Sequence, residues 1–133
     1  MTSGQPVLPD LGEVMVAFLT GQLPTTRACT SLPDNLVDAV PLLQVVRASG
    51  AVFGRRYDRA LFDLNAFGAD EDAASTLARQ AEALLLAPIN QTFPDLSAVL
   101  GSAESVRRPQ WVPYENTNVR LYAATYSIKL RSA

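Results

Sequence analysis

Arg120-Leu121-Tyr122-Ala123-Ala124-Thr125-Tyr126-Ser127-Ile128-Lys129-Leu130-Arg131 reads as one long β-strand. A strand of this length is either buried within a sheet or completed by another copy, because a bare edge that long templates aggregation. Upstream, residues 103–112 read as a second strand, and Tyr114-Glu115-Asn116-Thr117-Asn118 as the turn between the two. This pair decides the class of the fold, since the rest of the chain must cover a sheet built around it.

Working outward, Arg59 to Phe67 is a third strand, with Ala60, Phe62, Leu64 and Ala66 on one face and Leu61, Asp63, Asn65 and Phe67 on the other. Val40 to Ala48 is a dense apolar run. Pro41 near its start suits a strand entry or a bulge, because proline cannot donate to a ladder. Ser49 to Asp58, with Gly50 and Gly54, reads as the loop of a long hairpin between these two strands. Thr25 to Thr30, flanked by Pro24 and Pro33, reads as a short edge strand.

Two helices are expected. Asp10 is an N-cap with Glu13 at capping-box spacing; Leu11, Val14, Met15, Phe18 and Leu19 form one apolar face, and Gly21 is a stop. Asp70, Glu71 and Asp72 place negative charge at the start of the second helix, where the dipole favours it. Ala73, Ala74, Leu77, Ala78, Ala81, Leu84 and Leu85 form its stripe, and Pro88 ends it. Residues 93–101 have two readings, one a short helix over Pro94 to Leu100. The expected order is α-β-β-β-α-(α)-β-β. It forms an α+β domain over residues 9–133, with a mostly antiparallel β-sheet, helices packed on one face, and residues 1–8 as a flexible lead.

At 133 residues the chain has the length of one domain, and 48% hydrophobic residues supply a core. Only 18% of residues are charged, against roughly 25% in an average chain, which suits a surface partly covered by partners. Residues 1–46, 47–59, 60–104 and 105–133 carry −3, +3, −6 and +4. Chance gives such alternation in a sparsely charged chain; so does a protein that packs acidic face to basic face against its own copies. The net charge of −2 makes no case for nucleic-acid binding.

Histidine is absent, which removes the commonest general base and imidazole ligand. One cysteine, Cys29, allows neither an internal disulfide nor a thiolate cage, and reads as structural. The N-terminus lacks a basic, then apolar, leader, and no stretch approaches the ~20 apolar residues of a membrane span; a soluble, intracellular protein is expected. No phosphate-cradling glycine motif is present. Asp58, Asp63 and Asn65 with Tyr57 form a weak carboxylate candidate, better read as a solvated or partner-facing strip.

The residues singled out are of interface type. Arg55, Arg56 and Tyr57 at the hairpin tip carry anchor side chains. They suit an acidic partner or phosphate, or a solvated tip. Val52 and Phe53 are apolar residues that an unpartnered tip rarely displays. Trp111 and Tyr114 join them as interface candidates, with core packing as the other reading of these aromatics. No catalytic residue, metal ligand or cofactor is expected.

The element order, the segment Pro109-Gln110-Trp111-Val112-Pro113, the polar turn and the R-x-Y-x-x-T-Y strand that follows together resemble the tail terminator (tail completion) proteins of long-tailed bacteriophages with non-contractile tails. Leu61-Phe62-Asp63-Leu64-Asn65 leading into Ala73-Ala74 is similar to that family's strand-to-helix step. The resemblance implies a virion protein of the tail, assembled in the host cytoplasm as a homo-oligomer, a hexameric ring. The ring caps the head-proximal end of the tail tube, stops polymerisation of tube protein and docks to the head–tail connector. Double-stranded DNA passes through its lumen without sequence-specific binding, and there is no catalysis, cofactor or membrane contact. The alternative is a small ligand-binding or enzyme-like α+β domain of the cystatin or nuclear-transport-factor type, its sheet curved around a pocket.

Overall fold

The computed structural model describes residues 8–53 and 57–132. The chain runs α1 (Leu11–Gln22), β1 (Arg27–Cys29), α2 (Leu36–Ala39), β2 (Leu42–Phe53), β3 (Tyr57–Gly68), α3 (Glu71–Leu86), β4 (Gln91–Phe93), a 3-10 turn (Pro94–Leu96), β5 (Ala98–Val112) and β6 (Arg120–Ser132). The six strands form one sheet in the order β1-β2-β3-β6-β5-β4. Every pairing is antiparallel except that of β1 with β2. This is the α+β architecture expected from the sequence.

The long β6 strand lies in the middle of the sheet, paired to β3 along one side and to β5 along the other. Its edge is thereby removed from solvent, and its even-numbered residues Ala124, Tyr126, Ile128 and Leu130 are buried. Ala60, Phe62, Leu64 and Ala66 of β3 face the same way and are buried too. α1 and α3 cover this face, burying Val14, Met15, Phe18 and Leu19 from one helix and Leu77, Ala78, Ala81 and Leu85 from the other in a single core. On the opposite face a smaller cluster of Leu36, Leu42, Phe67, Val119 and Leu121 forms under the short α2 at one end of the sheet. Two faces are therefore covered, though only one by long helices.

Several local expectations are corrected. β2 runs on through Ser49 to Phe53, so the segment read as a loop from Ser49 to Asp58 is mostly ladder, with Phe53 opposite Tyr57. An irregularity between Arg47 and Ser49 absorbs one residue and keeps both strands in register. The reading of Pro94 to Leu100 as helix fails beyond Leu96: Ser97 turns through φ 51°, and β5 begins at Ala98. Thr25 to Thr30 contributes only Arg27–Cys29, and that strand is parallel to β2. α1 passes through Gly21 and ends at Gln22. Ala73 is exposed and Leu84 only half-buried, so the α3 stripe is rotated towards Glu82, which is buried.

Both helix starts are capped as their sequences suggest. The Asp10 carboxylate accepts from the Gly12 N–H at 3.0 Å, while Glu13 stays exposed and the capping box does not close as expected. Asp70 accepts from the Ala73 N–H at 2.8 Å, satisfying one of the orphan donors of α3.

Candidate functional site

Of the seven residues expected at an interface, Tyr57 and Trp111 do not gather into one site. Tyr57 opens β3 opposite Phe53 and Arg131, and is 45% exposed. Trp111 lies near the end of β5 opposite Tyr122 and is 51% exposed. Tyr122 and Arg131 are nine positions apart on β6, so Tyr57 and Trp111 stand at opposite ends of the sheet, roughly 30 Å apart at ~3.3 Å per residue. Val52 and Phe53 fall in the last residues of β2, and Arg55 and Arg56 lie outside the described residues. Tyr114 is half-buried and packs edge-on against Phe67 with ring centroids 5.2 Å apart, so its ring belongs to the smaller core cluster. Trp111, by contrast, presents an apolar surface beside a hollow of about 240 Å³ that Tyr114 and Arg120 also line.

The weak carboxylate candidate is taken apart by strand alternation. Asp58 lies on the helix-covered side and is 3% exposed, whereas Asp63 and Asn65 lie on the other side. Asp63 accepts a hydrogen bond from the Thr125 hydroxyl at 2.7 Å, and the Asn65 amide donates to the Gln44 side chain at 3.1 Å. These groups tie neighbouring strands together. No group of three or more metal-ligating side chains occurs among the described residues.

Two charged clusters unseen in the sequence sit on the helix-covered side. Arg47 grips Asp58 through two bonds of 2.6 and 2.7 Å. This bidentate geometry is the strong form of the pair, and it raises the pKa of Arg47 chiefly through the Asp58 hydrogen bond. Gly50 makes room for it: a Cβ there would lie 2.3 Å from the Arg47 guanidinium. Gly50 thus serves packing inside a strand; it is not part of an adaptable loop tip. The second cluster centres on Glu82 of α3. Arg108 of β5 reaches it at 2.9 Å, and the Tyr126 hydroxyl lies 3.5 Å from its other oxygen. Only pairing makes a buried carboxylate tolerable, and Arg108, largely exposed itself, supplies the countercharge.

Burial pushes the Tyr126 phenol well above the ordinary tyrosine range, with the Glu82 charge adding to the shift and Arg108 opposing it. Above about pH 10 a tyrosine in the unfolded chain ionises while the folded one keeps its proton. Stability contributed by this group is therefore complete below that pH and is lost as pH rises towards the folded pKa. Tyr126→Phe should flatten the alkaline loss of stability, as followed by urea unfolding between about pH 9 and 11. Equal losses in parent and variant would remove the phenol from the account.

Cys29 is half-buried, and burial raises its thiol pKa, with Arg27 opposing. That is the setting of a structural thiol, poor in thiolate.

What remains as candidate functional surface is the rim of the sheet. β1 covers only Leu42–Gln44 of β2, and β4 covers only Ala98–Leu100 of β5. Among the described residues no strand pairs with the outer edge of β2 from Val45 to Phe53, nor with that of β5 from Gly101 to Val112. Val106, 57% exposed, and Trp111 lie along the second of these edges. Near the Tyr57 end, Arg59 and Lys129 stand directly opposite each other on the face without long helices, next to Arg131. The alternation of residues 57–61 and 127–131 was the available signal for this cationic end. The strand edges left no such signal, because pairing partners distant in sequence decide which edge is free. No family model matches the chain, and no curated protein is similar to it.

Proposed function

We propose that the chain is a structural subunit of a ring that ends a bacteriophage tail tube and joins it to the head connector. One observation carries the self-assembling part of this reading. Among the described residues, a single open sheet leaves a long stretch of edge unpaired on each side, and unpaired edges are ready-made contacts for further copies. Head-to-tail contacts between different surfaces close into a ring when the rotation per subunit closes. The place in a phage tail rests on the sequence resemblance. On this reading the chain needs no cofactor, and DNA traverses the lumen without being read.

The pocketed alternative draws no support from the packing. In such domains the curved sheet surrounds a ligand, but here Phe62, Leu64 and Tyr126 fill the covered face beneath α1 and α3. Native mass spectrometry and negative-stain imaging test the proposal, on the protein alone and mixed with tail tube protein. Six copies around an axial hole are expected. A chain that stays monomeric at every concentration and leaves tube polymerisation unaffected would overturn it.

A further inference from the structure

Resting on the ring reading, we infer that neighbouring subunits join their sheets edge to edge, the free β2 edge of one copy pairing antiparallel with the free β5 edge of the next. Strand direction permits it. β2 is antiparallel to β3, β3 to β6 and β6 to β5, so β2 and β5 run in opposite senses. A copy set beside β5 in the same orientation therefore presents its β2 antiparallel to it.

The outline of the sheet is also self-complementary. β4 blocks β5 only at the end where Val99 lies level with Arg131 and Tyr57. β1 blocks β2 only at the other end, where Leu42 lies level with Phe67 and Leu121. The two caps are thus at opposite ends of a stepped outline. Sliding the neighbour by two or four residues, roughly 7 or 13 Å, keeps side chains on matching faces and lets each short cap pass the end of the other copy's long strand. The free edges then face each other over most of their length. The surface this covers includes Val106 and Trp111, apolar side chains that a lone subunit leaves exposed.

The β5 edge is not open to any strand. Its ladder to β6 shifts register three times, and Pro109 removes a donor. Such features deter indiscriminate pairing and leave an edge that only a matching partner fits. The β2 edge, with its own single irregularity, lacks proline, and its charged residue, Arg47, is turned inward to Asp58. One guarded and one permissive edge are what a head-to-tail contact requires if neither edge is to aggregate with its own kind.

Strand alternation supplies a sharp test. Ser49 is level with Leu61, Arg107 with Thr125 and Gln110 with Ala123, all on the face without long helices; Ser105 is level with Tyr126 on the covered face. In a Cys29→Ser background, Ser49→Cys is combined in turn with Arg107→Cys, Gln110→Cys and Ser105→Cys, and assembled protein is oxidised. The first or second pairing should give a ladder of covalent oligomers up to ring size, and the third should give none. Backbone amides of Ser49–Phe53 and Ser105–Val112 should gain hydrogen-exchange protection on assembly of the unmodified chain. Covalent dimers from Ser49→Cys alone would mean β2 pairs with β2, overturning the inference. Rings by native mass with neither cross-links nor added protection would overturn it while leaving the ring reading standing. A chain that never oligomerises would remove both.

Discussion

Leu85→Ala is expected to cost roughly 2–5 kcal/mol, the loss for a leucine whose cavity cannot collapse. Leu85 is fully buried in the α3 stripe, in the core shared with β3, β5 and β6. The neighbouring Leu84→Ala should cost less, under about 2 kcal/mol, because half-burial leaves less apolar area to lose. Sequence periodicity ranks the two leucines equally; the structure separates them. Urea unfolding of both variants checks this, and equal midpoints would mean that α3 is rotated differently on the sheet.

Gly68→Ala should be the most damaging of the glycine substitutions, costing at least about 1–3 kcal/mol, as overpacking against unyielding atoms does. A Cβ at Gly68 would lie 2.5 Å from the Ala74 nitrogen and 2.9 Å from the Ala73 carbonyl carbon and Ala74 Cα. These are backbone atoms in the first turn of α3. They cannot withdraw without lifting the helix start off the sheet and loosening the Asp70 cap on Ala73. Gly21→Ala is the natural control: nothing lies within 4 Å of its Cβ, and alanine in a helix is favoured by roughly 0.5–1 kcal/mol. Thermal melts of the two variants should therefore move in opposite directions. A Gly68→Ala protein as stable as the parent would show that the strand-to-helix step yields more easily than its contacts imply.

The same contrast separates what was legible in the sequence from what was not. Alternation in Ala60-Leu61-Phe62-Asp63-Leu64 identified β3 and its buried face, because a period of two is a property of the extended backbone itself. Asp10 and Asp70 marked both helix starts because capping is a contact between near neighbours in the chain. The absence of histidine and the single cysteine were equally plain.

Glycine misled twice, at Gly21 and at Gly50. A glycine can stop a helix or open a loop, but it can also sit in a regular element where a distant side chain needs room, as the Arg47 guanidinium does over Gly50. Glu82 was invisible as a buried residue because its countercharge, Arg108, comes from β5, 26 positions away, and a carboxylate is expected at the surface unless such a partner exists. The free edges of β2 and β5 are likewise a property of strand order alone. Composition and periodicity determine that a segment is a strand and which face is apolar. Only the assembled sheet decides which neighbours it has, because pairing is set by contacts between residues far apart in sequence, and those contacts leave two stretches of edge unmatched within the described chain.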